Sequence, residues 1–362
     1  MYEKLRRTYE GRSVLVTGHT GFKGSWLAAW LSELGAHVVG YSLEPPSKPN
    51  LFESINLDER ITHITGDVRE GGRLVSVFDE HEPEFIFHLA AQPLVRRSYK
   101  EPALTYETNV MGTLNVLEAV RKTGSVRVCV IVTTDKCYEN KESEHEYKET
   151  DPLGGYDPYS SSKGCAELVT ASYRRSFLQE VAVSSARSGN VIGCGDWNED
   201  RLVPDCIKAL NQGETIMIRN PNAVRPWQYI LEPLSGYLLL ACMMREDPVK
   251  YSGAWNFGPA DEHTITVGEL VDKVMECWGS GEYEVDSSQN PHEAGLLKLD
   301  VGKARRMLGW MPVYGIDEAV DRTVRGYKMF YGGMVGDRLW DFIVGEIREY
   351  NSQGDRLGWG YE

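Results

Sequence analysis

The sequence predicts an α/β fold, a doubly wound parallel sheet with a smaller C-terminal domain, and three observations carry that prediction. Short apolar runs alternate with helical patterns through the first half, a glycine-rich turn follows the first run, and beyond Arg187 the alternation loosens into loops rich in Gly, Pro, Asn and Arg. The runs are Ser13 to Thr17, His37 to Ser42, Phe85 to Leu89, Val128 to Thr133 and Val181 to Ala186. Each ends where ligands bind in such sheets, in the crevice beyond the carboxyl ends of the strands.

Residues 1–186 read as the sheet domain, 187–330 as the second domain and 331–362 as a C-terminal tail, a surface helix with loops. Apolar segments Ile230 to Met244 and Val267 to Trp278 resume helical spacing. Trp255 to Phe257 ends in Gly258-Pro259 and reads as a strand returning to the first sheet, within a returning region near 228–260.

A chain of 362 residues with 41% apolar content can bury one large core or two joined ones. Its net charge of -14 argues against nucleic acid or an anionic membrane as partner, while leaving local arginines free to hold a small phosphorylated ligand. No apolar stretch reaches membrane-spanning length, and the start MYEKLRRTYEGRS lacks the apolar middle of a signal peptide, so a cytoplasmic protein is expected. Seven cysteines without a close CxxC pair read as reduced thiols, with no metal site expected. Cys137, although it follows Asp135 and Lys136, reads as a packed thiol.

The segment Val14 to Gly24 is a strand followed by Gly18, His19, Thr20, Gly21, Phe22, Lys23 and Gly24, and then a helix. Glycines permit tight torsions and close backbone approach, and the helix start offers N–H groups and a positive dipole end to a diphosphate. The turn therefore reads as the dinucleotide cradle of a Rossmann-type sheet, spaced GxxGxxG. After the second strand, Gly40-Tyr41-Ser42-Leu43-Glu44-Pro45 lacks the usual ribose-binding acid. No arginine between Tyr41 and Glu59 is available for a 2′-phosphate, which favours NAD over NADP. Asp67-Val68 either contacts the adenine or caps a helix, and Leu89, Ala90 and Ala91 are small or apolar residues past which a cofactor can run.

Tyr159 and Lys163 stand at i and i+4 on one helix face. A neighbouring ammonium and a cationic nicotinamide both favour the phenolate, so Tyr159 is expected to act as a general base. At the end of the Val128 run, Thr134 is placed to bond a sugar hydroxyl, Asp135 to deliver a proton, and Lys136 to act as base or to position substrate. A strand-end cap is the plainer reading of Thr134 and Asp135.

Together these motifs resemble the extended short-chain dehydrogenase/reductases. The stretches TGHTGFKGSWL, HLAAQPLVRRSY, TDKCYEN, GGYDPYSSSKGCAELV, RSGNVIGCGDW, RNPNAVRPWQ and LEPLSGYLLLA are similar to the CDP-glucose 4,6-dehydratases among them, over nearly the whole chain to about Pro312. The resemblance implies NAD as cofactor and CDP-glucose as substrate, with oxidation at C4, loss of water across C5 and C6, and hydride return to C6. It implies Thr134, Asp135, Lys136, Tyr159 and Lys163 as catalytic residues, and adds Thr133 to the cofactor contacts already named. Where related dehydratases acting on dTDP-glucose pair the aspartate with a glutamate, this chain has Lys136, which can be a base only if burial or nearby positive charge lowers its pKa.

On the substrate side, Arg201, Arg219 and Arg225 lie in Pro/Gly-rich loops and offer planar forks to a diphosphate. Asn190 matches a family position near the substrate phosphates, and Gln92, Arg96, Glu232 and His292 are weaker candidates. An epimerase or reductase of the same family shares Tyr159 and Lys163 but needs no acid at Asp135, and a non-catalytic nucleotide sensor needs neither the tyrosine nor the lysine. The apolar-faced helices Thr105 to Lys122 and Ser160 to Phe177 are expected to pair in a homodimer, as in relatives.

Overall fold

The computed structural model describes residues 1–259, 264–286 and 296–358. Seven strands form the main sheet: β1 (Ser13–Thr17), β2 (His37–Ser42), β3 (Thr62–Thr65), β4 (Phe85–His88), β5 (Val128–Val132), β6 (Ala182–Ser188) and β7 (Gly253–Phe257). Their order is β7-β6-β5-β4-β1-β2-β3, and every neighbouring pair is parallel. The order reverses between β1 and β4, so the crevice at the switch point opens between the ends of those two strands.

Both faces of this sheet are covered, which is why its strands read as unbroken apolar runs. Val14 and Val16 enter one core and Leu15 the other; Phe85 and Phe87 oppose Ile86, and Val128 and Val130 oppose Cys129 and Ile131. Each strand side chain thus joins the core on its own face. β7 pairs in register with β6, Trp255 opposite Ala186, and fully buried Trp255 anchors this returning strand.

The second region is built from short pieces. Asn190–Ile192 pairs with Val224–Tyr229, which pairs with Thr264–Thr266, while Ile216–Ile218 pairs with Tyr283–Val285. Helix Leu231–Glu246 is buried along nearly its whole length and ties this region to the sheet. All seven cysteines are free thiols, and burial pushes the Cys137 thiol well above its ordinary range.

Residues 337–356 depart from the expected surface tail. They form one helix, Asp337–Arg356, that buries Leu339, Ile343, Ile347 and Tyr350 in the larger core. The Tyr350 ring meets Trp30 edge-on at 5.7 Å between centroids, and its hydroxyl donates to Glu232 at 2.6 Å. Arg322 adds ion pairs to Glu346 and Glu349, at 2.9 and 2.6 Å. A helix whose exposed face is this charged carries a weak apolar signal in sequence, which explains the misreading.

Candidate active site

A cleft of about 1780 Å³ runs along the carboxyl ends of β1, β4, β5 and β6 and is closed on its far side by the second region. That is larger than a site for one drug-sized molecule, roughly 300–1,000 Å³, and leaves volume for two nucleotide-sized ligands.

The glycine turn forms its floor. Gly18 has φ of 77°, and a Cβ there would lie 2.7 Å from the backbone nitrogen of Ala90; a Cβ on Gly24 would lie 2.1 Å from the Gly18 carbonyl oxygen. Only glycine lets β1, β4 and the following helix approach so closely. Helix Phe22–Glu33 begins at Gly21 with no side chain capping its first N–H groups. Those unsatisfied donors at the positive end of a helix suit a diphosphate. Thr20 bonds Ser42 at 2.8 Å and donates to the Leu43 carbonyl at 2.9 Å, holding the end of β2 against the turn.

Some predicted cofactor contacts have side chains occupied elsewhere. The His19 ring lies over Gly40 and pairs with His63 at 2.7 Å; burial pushes its pKa down to about 3, so its imidazole is a neutral core group. Asp67 caps no helix: it accepts the Arg69 backbone N–H at 2.9 Å and the Arg69 guanidinium at 2.6 Å, which holds its carboxyl below the usual range. Asp67, Val68, Leu89, Ala90 and Ala91 all line the cleft. Thr133 also lines it, but its hydroxyl donates to buried Glu167 at 2.5 Å, and Glu167 in turn receives Arg187 at 2.8 Å. This buried pair fixes β5 to β6 beneath the reacting end.

Above that pair the structure gathers the five residues expected to act. Thr134 caps the short turn Asp135–Cys137 and donates to Asp135 Oδ1 at 2.9 Å, so the cap reading and the functional reading describe the same group. Asp135 is only 2% exposed. Asp157 caps helix Pro158–Ser176 by accepting Ser160 N–H at 3.0 Å, and Pro158 presets its first turn, which aims Tyr159 into the cleft. Tyr159 and Thr134 both line the cleft, and Thr134 is a near neighbour of the phenol.

The electrostatics differ from expectation in one respect. Burial pushes Tyr159 up to about 12, opposed by neighbouring Thr134 and the Arg201 charge. Lys163 directs its ammonium to the Val132 carbonyl at 3.1 Å, and burial, opposed by Glu167, lowers it to about 8. Spacing i to i+4 thus brings both groups to one cleft, but the lysine is anchored on the backbone of β5. Lys136 is 29% exposed and lies 3.9 Å from Asp135 Oδ1. Its charged neighbour in the cleft is the Asp135 carboxylate.

On the opposite wall, Arg96 and Arg219 each reach Asp200 Oδ1 at 3.2 Å, and Arg201 lies 4.0 Å from Asp196. Arg225 donates to the Val224 carbonyl at 3.1 Å and also lines the cleft. Asn190 projects a buried side-chain oxygen with no hydrogen-bond partner among the described residues, an orphan that a ligand donor would satisfy. Gln92 is on the wall, but its amide is spent on Leu94 and Thr105, at 2.7 to 3.1 Å. Glu232 is outside the cleft: it accepts the Val313 and Tyr314 N–H groups and the Tyr350 hydroxyl, and burial raises it to about 7. His292 lies outside the described residues. Sequence reasoning missed Asp196 and Asp200, whose signal was an acid-rich loop, Asp196 to Asp200, leading directly into Arg201.

A family model described as GDP-mannose 4,6 dehydratase matches residues 15–323. A CDP-glucose 4,6-dehydratase of Salmonella typhimurium is 47% identical over 333 residues, 90% of this chain and 93% of that protein. Among solved structures, a dTDP-glucose 4,6-dehydratase of Streptomyces venezuelae, with NAD and TYD bound, is 26% identical with a TM-score of 0.77, covering 88% of this chain and 98% of that one. An epimerase of Methanothermobacter thermautotrophicus reaches a TM-score of 0.79 at 24% identity over 92% of this chain and 96% of that one, a likeness of fold.

Proposed function

The chain belongs to the GDP-mannose 4,6 dehydratase family, and from that premise we propose that it converts CDP-D-glucose to CDP-4-keto-6-deoxy-D-glucose with NAD as cofactor. One arrangement supports this reading above the rest: Tyr159, Thr134 and Asp135 line one cleft with the glycine turn, and Thr134 donates to the Asp135 carboxyl. A general base for a sugar hydroxyl and a carboxyl able to protonate a leaving hydroxide therefore share one wall. An epimerase or a reductase needs only the first.

Bound NAD supplies the acceptor for the C4 hydride and its return to C6, so the reaction is a net loss of water and the enzyme a lyase. The uncapped start of helix Phe22–Glu33 and the close-packed glycines would hold the cofactor's diphosphate, with Asp67, Val68 and Ala90 lining the same cleft. Thr134 orients the 4-hydroxyl as Tyr159 takes its proton. Bound NAD would add positive charge beside the phenol, which lowers the pKa of Tyr159 from its buried value. The resulting ketone acidifies C5–H, whose proton passes to a base, the role tested below at Lys136, as Asp135 protonates the departing 6-hydroxyl.

Arg96, Arg201, Arg219, Arg225 and Asn190 bind the sugar-nucleotide diphosphate in this reading. The exposed apolar residues Tyr106 (37%), Met111 (48%) and Leu168 (60%) on the two long helices support a homodimer. No helix among the described residues is long and apolar enough to cross a membrane; a cytoplasmic site completes the proposal.

Incubation with CDP-, dTDP-, UDP- and GDP-glucose, followed by mass spectrometry, tests the assignment. Loss of water is expected from CDP-glucose in preference to the others. Preference for another base would reassign the substrate, and no water loss from any would reject dehydration.

Lys136→Ala separates two roles for this lysine. If Lys136 removes the C5 proton, quenched single turnovers should accumulate the 4-keto-glucose nucleotide while C4 oxidation keeps its rate. If oxidation and elimination slow together, Lys136 positions the substrate, which its exposure and its place beside Asp135 favour.

A further inference from the structure

The segment that carries Thr134, Asp135 and Lys136 is held loosely by its own backbone. Lys136 N–H donates to Thr134 Oγ1 at 3.4 Å, Cys137 N–H to the Thr134 carbonyl at 3.3 Å and Tyr138 N–H to the Asp135 carbonyl at 3.4 Å, all beyond the usual range for such bonds. Short contacts lie instead at the two ends of the segment, and both lead to one ion pair. In front, the Thr133 hydroxyl donates to Glu167 Oε1 at 2.5 Å. Behind, Arg187 Nη1 donates to the Tyr138 hydroxyl at 2.6 Å, and the guanidinium lies over the Tyr138 ring, 4.8 Å from its centroid. Arg187 Nη2 meets Glu167 Oε2 at 2.8 Å, each side chain only 3% exposed.

Neighbouring elements fix this pair in place. The Ser185 hydroxyl donates to Glu167 Oε2 at 2.6 Å, and the Tyr138 hydroxyl donates to Asn256 Oδ1 on β7 at 2.7 Å. Asn256 is tied in turn to the carbonyls of Tyr147 and Asp300, at 2.8 and 3.2 Å. A buried ion pair adds little net stability over well-packed apolar residues of like volume, so stability is a weak reason for it. The fork of Arg187 and the oxygens of Glu167 go instead to the two ends of the reacting turn. We propose that Glu167 and Arg187 are positioning residues, one buried clamp that grips Thr133 and Tyr138 and thereby sets Asp135 against the departing 6-hydroxyl. Tyr159 is not on the gripped turn; it stands in the first turn of helix Pro158–Ser176, which Asp157 caps. The inference rests on the dehydratase reading above, in which Asp135 is the acid.

The test cuts each end of the grip and leaves the ion pair whole: Thr133→Val removes the front hydroxyl and Tyr138→Phe the rear one. Quenched single turnovers of CDP-glucose by the NAD-loaded enzyme measure the ratio of 4-keto-glucose nucleotide to 4-keto-6-deoxy product, which a smaller folded fraction does not change. Each variant should slow elimination by about tenfold to a hundredfold, the order expected when a reacting group is displaced by about 1 Å. C4 oxidation should slow by less, because Tyr159 keeps its place, so the intermediate should accumulate. Thr133→Ser, which restores the hydroxyl, should keep the wild-type ratio. Oxidation and elimination slowed alike, or a ratio unchanged in both variants, would overturn the proposal. So would a Thr133→Val protein whose one change is a raised NAD dissociation constant, because Thr133 would then be a cofactor contact. If Tyr138→Phe does not fold, Thr133→Val compared with Thr133→Ser decides alone. Wild type that forms no product from CDP-glucose would instead overturn the function proposed above, and this inference with it.

Discussion

Tyr159→Phe should lower turnover of CDP-glucose by ~10²-fold or more, the range that a positioned general base contributes. The substitution deletes one hydroxyl and keeps the ring, so the helix begun at Asp157 and Pro158 and the wall it forms stay in place. Loss of one buried hydroxyl costs about 1 kcal/mol of stability, far from enough to unfold a domain of this size. Affinity for substrate should accordingly change little while kcat falls. The pH profile supplies a second readout. Burial keeps the phenol protonated at neutral pH, so the wild-type rate should climb as pH rises toward the pKa of the loaded site, and that limb should vanish in the variant. Near-normal turnover, or an acidic limb that survives the substitution, would remove Tyr159 from the proposed role.

The main sheet was legible because burial on both faces leaves strands such as Val128–Val132 no room for polar residues, and the glycine turn because its close approaches admit no side chain. Edge strand Thr62–Thr65 was fainter, since none of its four side chains is fully buried. Within the site, Thr134, Asp135 and Tyr159 were legible because strand end and helix start put them in one cleft whatever the details. What sequence does not show is how a polar side chain is spent. His19 and Gln92 lie beside the cleft, yet their ring and amide are satisfied by His63, Leu94 and Thr105, pairings set by tertiary packing. Lys23 reads as one more residue of the turn until the fold brings up Ser188, far along the chain. Charge placement was harder still: Lys163 was expected to act on Tyr159 through its i to i+4 spacing, but the nearer carbonyl of Val132 holds its ammonium.

Asp135→Asn should separate a dehydratase from every other enzyme that shares Tyr159 and Lys163. Asparagine matches the carboxylate in shape and can still accept the Thr134 hydroxyl, so the turn Asp135–Cys137 should persist. It cannot donate a carboxylic proton to the departing 6-hydroxyl. Elimination should fall by ~10²–10⁴-fold, the contribution of a general acid, while C4 oxidation continues. Quenched reactions should then contain the 4-keto-glucose nucleotide in place of the 4-keto-6-deoxy product. Deuterium placed at C4 gives the sharper reading. In wild type it should reappear at C6 of the same sugar, with solvent deuterium entering at C5, because the C5 hydrogen leaves as a proton and exchanges. Mixing labelled and unlabelled CDP-glucose should show no crossover between molecules. In Asp135→Asn the label should leave C4 without arriving at C6. Label that returns to C4 in the wild type would indicate an epimerase, label lost from the sugar a simple dehydrogenase, and an Asp135→Asn protein as fast as wild type would show that the buried carboxyl is not the acid.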